Sequence, residues 1–289
     1  MKNTLKFMAL ALLLFAAACS TNADSESSNE SSEKQQANSS ESQTNEEASN
    51  DESNADQQDD SKEEDQAKED ATAEEASVEP EYRMNEAFGF DPINDAPAEA
   101  VLLTFDDSPD KHAVDMAKEL KEMGAPAIFF VNGHFIDTDE EKARLKEIYD
   151  MGFEIGNHTM THSNLKDLSE EEQREEIVKL NDMIEEVTGE RPKFFRAPFG
   201  SNTDFSKSLA KQENMLVMNW TYGYDWVKEY QDKNAIADIM VNSPYLKNGA
   251  NLLMHDRDWT AAALGDIVSG LRDKGYQMID PEEIETPQK

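Results

Sequence analysis

Two pairs of residues have types and spacings that could support metal and acid–base chemistry. His158 and His162 are four positions apart, and on a helical turn that spacing places both imidazoles within reach of one metal ion. Asp106 and Asp107 directly follow an apolar run. Because adjacent side chains on a strand point in opposite directions, these two carboxylates can take different roles. Each pair also has an ordinary explanation, namely incidental histidines and an Asp-Asp-Ser-Pro turn.

Further polar side chains follow other apolar runs. Arg196 begins the segment Arg-Ala-Pro-Phe-Gly, where it could bind a carboxylate beside a tight turn that presents backbone N–H groups. The alternative is a purely structural turn. His255 also ends an apolar run, and Asp225 stands beside Trp226 in an aromatic stretch that begins at Trp220. That stretch could be core or a platform for a sugar.

The elements that must position these residues alternate between strand and helix patterns. Apolar residues recur at helical spacing from Ala113 to Met123 and stop at Gly124. Ser169 and Glu172 form a capping box before a second helix. Such alternation predicts an α/β fold with a parallel sheet, open or closed into a barrel, and a site at the carboxyl ends of its strands. The predicted strands are residues 101–105, 127–131, 194–195, 216–218, 252–254 and 276–279.

Composition limits the partners of this chain. Its 289 residues include 62 acidic and 27 basic side chains, a formal net charge of −35. We therefore expect no binding to nucleic acid or to an anionic bilayer surface. Five histidines and a single cysteine exclude a disulfide-stapled scaffold and a cysteine-cluster metal site. Residues 81–289 hold 42 acidic and 22 basic residues and nearly all of the aromatic ones. We expect them to form one domain and the protein to be a monomer.

The first 80 residues have two different compositions. Residues 1–18 combine a basic start with a short apolar run, the pattern of a secretory signal peptide. They end at the unpaired Cys19, which resembles the lipidated cysteine of a bacterial lipobox, although Ala16 stands where that motif usually has Leu. The alternative is an ordinary signal peptide with an incidental cysteine. We expect export and anchoring at the outer face of the cytoplasmic membrane as a lipoprotein.

Residues 19–80 are predicted to be a disordered acidic linker. From residue 20 onward they include 20 acidic and 3 basic residues and no aromatic residue. Such a segment cannot bury enough apolar surface to offset the entropy lost on ordering. As a flexible coil it would span about 45 Å and could hold the domain in the cell-wall space, away from the membrane.

Five of these segments, taken in order, resemble the motifs of the polysaccharide deacetylases of carbohydrate esterase family 4, the NodB-homology domain. The resemblance covers roughly residues 98–280. It implies a distorted (β/α) barrel and the metal-dependent removal of acetyl groups from N-acetylated sugars. The five segments are residues 104–109, 158–162, 196–200, 225–226 and 253–255.

The resemblance assigns a metal site and a base. Asp107, His158 and His162 would bind a divalent metal, usually zinc, with cobalt, nickel or manganese as alternatives. Three protein ligands with open positions is the arrangement of a catalytic metal site. Asp106 would be the general base, and Arg196 would pair with Asp106 and orient it.

It also assigns an acid and a substrate pocket. The backbone N–H of Phe199 would help to hold the oxyanion. His255 would protonate the leaving amine, with Asp225 holding its charge and orientation. Trp226 and Trp220 would wall the acetyl pocket.

Two departures from the family pattern bear on activity. Ser108 stands where the first motif usually has Gly, which matters if that position needs a positive φ or if a Cβ crowds the substrate. Residues 222–224 supply no second Asp before Asp225. His112 and His134 belong to no motif and are expected at the surface.

We therefore expect a tethered N-deacetylase acting on N-acetylglucosamine units of a cell-envelope polysaccharide, peptidoglycan first. A deacetylase of chitin-like or poly-N-acetylglucosamine oligomers would use the same residues. The rival from another class is a weakly active or inactive wall-associated structural lipoprotein that keeps the deacetylase fold.

Overall fold

Short parallel strands separated by helices build the centre of the molecule. The computed structural model describes residues 79–287. The strands are β1 (Tyr82–Met84), β2 (Phe90–Pro92), β3 (Ala100–Ser108), β4 (Ile128–Val131), β5 (Glu154–Asn157), β6 (Phe194–Phe195), β7 (Leu216–Val217), β8 (Ala250–His255) and β9 (Gln277–Met278). Seven of them form one sheet in the order β7-β6-β5-β4-β3-β8, with β9 paired to the start of β3. All pairings within this sheet are parallel, as the sequence pattern predicts.

The helices begin and end where local sequence signals place them. The capping box of Ser169 and Glu172 is present, and Gly124 ends the first helix with a left-handed φ of 58°. A second capping box, made by Thr138 and Glu141, begins another helix. The helices are α1 (Ala113–Met123), α2 (Asp139–Asp150), α3 (Glu170–Thr188), α4 (Asp204–Gln212), α5 (Lys233–Asn242) and α6 (Asp258–Asp273).

The sheet curls into a distorted barrel with two apolar layers. A parallel bridge between Tyr222 and Leu252 brings the chain that follows β7 beside β8, at the opposite edge of the sheet. Alternate residues of β3, Val101 and Leu103 among them, pack against the helices outside. The intervening Leu102 packs within the second apolar cluster, with residues of β4 and β6. Side chains alternate along a strand, so Asp106, four residues after Leu102, faces the same side as Leu102. Asp106 lies toward the carboxyl end of the sheet.

The sequence pattern did not predict the strand β5 or the hairpin formed by β1 and β2. β5 has the sequence Glu-Ile-Gly-Asn, with a single large apolar residue, yet it lies between β4 and β6 and pairs with both. β1 and β2 form an antiparallel hairpin whose turn is residues 85–89. The hairpin is joined to β8 by the hydrogen bond from Phe90 N to Gly249 O, 2.8 Å.

The predicted signal peptide, Cys19 and nearly all of the predicted linker lie outside the described residues. Within residues 79–287, no helix has both the length and the apolar character needed to cross a membrane.

Candidate active site

A bulge at the end of β3 brings both adjacent aspartates into one cleft. The pairing of β3 with β4 shifts register between Phe105 and Ser108, and Asp107 has a left-handed φ of 56°. A bulge of this kind re-aims a side chain that regular alternation would send to the opposite face. The expectation that the two carboxylates point in different directions is therefore wrong, since Asp106 and Asp107 line the same cleft. Their separate roles follow from different partners.

The two motif histidines lie on a loop, and the prediction of a helical turn is wrong. The chain leaves β5 at Asn157 without helical structure, and Thr159 and His162 have φ values of 71° and 59°. The Asn157 side chain accepts a hydrogen bond from Thr159 N at 2.9 Å. Asn132 holds the loop from β4 by donating to the His158 carbonyl at 2.6 Å. Buried amides, rather than helical hydrogen bonds, bring the two imidazoles together.

Among the described residues, one group of three side chains could hold a metal ion, and it consists of Asp107, His158 and His162. One ligand atom of each lies within 4.8 Å of the others. Asp107 Oδ1 lies 3.5 Å from His162 Nε2 and 4.0 Å from His158 Nε2. His158 Nδ1 lies 2.7 Å from the Arg196 carbonyl oxygen, to which it can only donate, so its Nε2 presents a lone pair to the cleft. These donors fit a divalent metal of the zinc type.

The charge states of these residues also suit metal binding. Burial lowers the pKa of His158, despite the opposing charges of Asp106 and Asp107, and favours the neutral imidazole that a metal requires. Burial would raise the pKa of Asp107, but His255, His158, His162 and Arg257 outweigh it and lower that pKa. The ligand set is therefore an ionised carboxylate and at least one neutral imidazole.

Asp106 is held by a fully buried arginine. Arg196 Nη1 donates to Asp106 Oδ1 at 2.6 Å and to Thr104 Oγ1 at 2.9 Å, and the guanidinium lies 4.2 Å from the centre of the Phe130 ring. Burial lowers the pKa of Arg196, while the Asp106 charge acts in the other direction. With Oδ1 occupied, Asp106 directs Oδ2 toward His158 Nε2 at 3.5 Å. The predicted pairing of Arg196 with Asp106 is present.

His255 faces the cleft from the neighbouring strand and is held by Asp225. In the β3–β8 register His255 lies directly opposite Asp106. Its Nδ1 lies 2.7 Å from Asp225 Oδ1, and its backbone N donates to Oδ2 of the same carboxylate at 2.6 Å. Burial would lower the pKa of His255, but the hydrogen bond and charge of Asp225 outweigh it and raise that pKa above its usual value. His255 can therefore remain an acid at a higher pH than a free histidine.

Aromatic side chains wall the cleft, which has a volume of about 340 Å³. Trp220, Trp226, Phe199 and Leu253 line it together with the polar residues above. The Trp226 ring lies 5.6 Å from that of His255, and Trp226 is 47% exposed. The aromatic stretch is therefore divided, since its two tryptophans line the cleft while Tyr222 is buried in the core.

Ser108 does not enter the cleft. It is fully buried, and its Oγ lies 3.4 Å from the Phe105 carbonyl oxygen. The residue of this motif that needs a positive φ is Asp107. Ser108 therefore neither has a positive φ nor crowds the cleft with its Cβ, which were the two reasons to expect reduced activity.

Sequence reasoning missed several supporting residues. Arg257 Nη2 donates to Asp107 Oδ2 at 2.5 Å, and Thr260 Oγ1 donates to Asp225 Oδ2 at 2.8 Å. Asn251 lies 3.5 Å from Arg196 Nη2 through its Oδ1. One signal was available, because Asn251 stands four positions before His255 and period-two alternation puts both on the same face of β8.

The two histidines outside the motifs are not in the cleft. His112 is partly exposed at the start of α1 and lies 2.8 Å from Asp258 Oδ1 through Nε2. His134 is exposed, and its ring lies 4.1 Å from that of Phe135.

Comparison with known proteins shows similarity to polysaccharide deacetylases. A family model for polysaccharide deacetylase matches residues 93–218. A peptidoglycan-N-acetylglucosamine deacetylase of Bacillus cereus is 30% identical over 188 residues, 62% of this chain and 66% of that protein. The structure of peptidoglycan deacetylase PdaC from Bacillus subtilis is 31% identical, with a TM-score of 0.57 over 64% of this chain and 89% of that chain. A CE4 family pseudoenzyme from Bacillus anthracis is 28% identical, with a TM-score of 0.58 over 65% of this chain and 66% of that chain.

The chain belongs to the polysaccharide deacetylase family. It spans between 39% and 66% of the length of three curated relatives that it matches.

The donor set predicts that metal binding depends on His158. The purified protein should bind about one divalent metal ion of the zinc type per chain. His158→Ala should lose this ion because the substitution removes one of the three ligands. Metal content by atomic emission after dialysis measures this. His134→Ala, which changes an exposed histidine outside the cleft, is the matched control and should retain the ion. Full metal content in His158→Ala would remove that residue from the ligand set.

Proposed function

We propose that this protein is a metal-dependent N-deacetylase that hydrolyses the acetamide of N-acetylglucosamine residues in a cell-envelope polysaccharide, namely peptidoglycan. The observation that carries the proposal is the convergence of a candidate base, a metal donor set and a candidate acid on one aromatic-walled cleft. Asp106 and His255 are directly opposite each other in neighbouring strands. The donor set lies beside Asp106, because Asp107 is the next residue of β3 and His158 and His162 are on the loop that follows β5.

Asp107, His158 and His162 would hold the metal. When bound, a divalent cation such as zinc supplies Lewis acidity that polarises the acetamide carbonyl and acidifies water. Arg257 occupies Asp107 Oδ2 and leaves Oδ1 directed at the two histidines. The Arg196 carbonyl fixes the orientation of His158.

Asp106 is the proposed general base. Its carboxylate is 2% exposed, so few water molecules compete for it, and Arg196 holds one oxygen while the other faces the donor set. A fixed carboxylate can accept the proton of the attacking water at Oδ2 without first reorienting. The backbone N–H of Phe199, at the rim of the cleft, is the proposed donor to the oxyanion.

His255 is the proposed general acid. Asp225 accepts from Nδ1, which leaves Nε2 as the atom that donates a proton to the leaving amine. Asp225 is itself fully buried and is held by Thr260 and by the His255 backbone. Trp220, Trp226 and Leu253 would exclude water from the acetyl group.

Replacing the base should abolish deacetylation. We expect Asp106→Asn to reduce acetate release from N-acetylated peptidoglycan by roughly 10²- to 10⁴-fold, the usual contribution of a general base. Coupled enzymatic detection of acetate measures it, with chitooligosaccharides assayed in parallel to compare substrates. Asp137→Asn, which changes an exposed aspartate outside the cleft, should match the wild type. Equal rates for Asp106→Asn and wild type would refute the role of Asp106. A wild type that binds metal and releases no acetate from either polymer would favour the structural lipoprotein.

The Asp225–His255 pair predicts a directional pH effect. The general acid works only while protonated, so the rate falls as the pH rises through the raised pKa of His255. Asp225→Asn removes the charge that raises this pKa, and the alkaline limb of the kcat/KM profile should therefore move to lower pH. Glu229→Gln, a change at an exposed carboxylate nearby, should leave the limb in place. A folded Asp225→Asn variant with an unmoved alkaline limb would count against His255 as the acid.

We propose further that the protein is exported and anchored by a lipid on Cys19, with residues 19–80 as a tether. This placement is supported by the apolar run that ends at the only cysteine of the chain. Cys19→Ser should move the protein from the membrane fraction to the medium, measured by fractionation and immunoblotting. Ser20→Ala is the control and should remain with membranes. Unchanged membrane association of Cys19→Ser would exclude the lipid anchor.

A further inference from the structure

A second cleft lies beside the first and has no part in the chemistry described above. Its volume is about 370 Å³. It is lined by the tip of the β1–β2 hairpin, the start of α4, β7 and the two loops that also bound the candidate active site. Its lining residues are Phe88, Gly200, Asn202, Lys207, Val217 and Asn219.

The two clefts share their walls. Phe199 lines the candidate active site and Gly200 the second cleft, while Trp220 lines the first and Asn219 the second. These two segments are in close contact, because a Cβ on Gly200 would lie 3.3 Å from Trp220 Cη2. The two clefts are therefore neighbours on either side of one wall, which residues 199–200 and 219–220 form.

The second cleft has a polar wall, formed by Asn202 and Asn219, that hydrogen bonds hold in place. Asn202 Oδ1 is buried and has no hydrogen-bond partner among the described residues. Its Nδ2 lies 3.5 Å from Asn219 Oδ1. The Asn219 carbonyl accepts from Arg196 Nη2 at 3.0 Å and from Asn251 Nδ2 at 2.9 Å, which fixes this wall. A buried acceptor without a donor is costly, so a rotation of the Asn202 side chain that brings Oδ1 to a sugar hydroxyl or acetamide N–H in the cleft would be favourable.

Phe88 supplies an apolar surface from a constrained turn. Its φ is 58°, an uncommon value for a bulky residue. The turn is held by Asn85, whose Oδ1 accepts from Ala87 N at 3.0 Å and from Gly89 N at 3.2 Å. Conformations of this kind persist only where surrounding contacts impose them, and they are concentrated at binding sites. Here the outcome is an aromatic ring at the second cleft.

Lys207 gives the second cleft its charge. It is the one ionisable residue among those that line the cleft, and it has no ion pair within residues 79–287. The domain as a whole is acidic, since residues 81–289 contain 42 acidic and 22 basic side chains. An unpaired lysine on an acidic domain is a local attraction for a carboxylate.

We propose that this second cleft is a subsite for the sugar next to the one that is deacetylated, and that Lys207 binds a carboxylate carried by that sugar. The inference rests on the proposed function and names the substrate class more closely. The preferred polymer is one whose alternate sugars bear an anionic lactyl or peptidyl group, as in peptidoglycan, rather than an unsubstituted chitin-like chain.

Two tetrasaccharides separate the charge effect from general sugar binding. One alternates N-acetylglucosamine with N-acetylmuramic acid and has free lactyl carboxylates; the other is chitotetraose. In an Asp106→Asn background, which prevents turnover, Lys207→Ala should weaken binding of the anionic ligand two- to five-fold in calorimetry, the effect of one exposed ion pair. It should leave chitotetraose unchanged. Added salt should remove the difference between Lys207→Ala and its parent.

Control variants give the result its specificity. Lys211→Ala changes a second lysine on the same helix that does not line the cleft, and it should bind both ligands like its parent. Phe88→Ala should weaken both ligands by similar factors, because an aromatic surface contacts the sugar ring without reading charge. Unfolding curves that match the parent confirm that each variant is folded.

The outcomes also separate this inference from the proposed function. Selective loss of the anionic ligand in Lys207→Ala supports the subsite, even if the wild type releases no acetate. Equal affinities of Lys207→Ala and its parent for the anionic ligand overturn the subsite, even if the wild type deacetylates peptidoglycan. An equal loss for both tetrasaccharides also overturns the role of Lys207 as a carboxylate-binding residue.

Discussion

The organisation of both clefts depends on one buried cation. The side chain of Arg196 is fully buried, and its guanidinium contacts Asp106 and Thr104 on β3 and the Asn219 carbonyl beside the second cleft. Its own carbonyl orients His158. Breaking such a buried pair by removing one partner typically costs about 3–5 kcal/mol, because the remaining charge is left uncompensated. Arg196 therefore constrains the candidate base, a candidate metal ligand and a wall of the second cleft at the same time.

The candidate base and the candidate acid have different charged partners. Asp106 is paired with a cation, whereas His255 is paired with the buried carboxylate of Asp225. The Asp225 carboxylate favours the protonated imidazole of His255, whereas Arg196 fixes the orientation of the Asp106 carboxylate. The candidate metal ligands are Asp107 and the two loop histidines, which the bulge in β3 brings together. Each role is set by contacts from a different strand or loop.

Much of the fold was predictable from local patterns. Apolar periodicity and side-chain hydrogen bonds within a few residues predict β3, the helix that ends at Gly124 and the capping box at Ser169. The parallel arrangement follows from the alternation of strands and helices. β5 was missed because its apolar content is low and neighbouring strands on both sides supply its pairing. Pairing of this kind depends on residues distant in sequence.

The sequence by itself determined which residue types reach the ends of the strands, and a family resemblance supplied their candidate roles. Only the tertiary structure decided how they meet. It placed His158 and His162 on a loop, directed both aspartates into one cleft through a bulge, and added Arg257 to the second oxygen of Asp107. The physical reason is that φ values and ion pairs at a site are imposed by packing and hydrogen bonds from several strands. Local propensity does not encode those contacts.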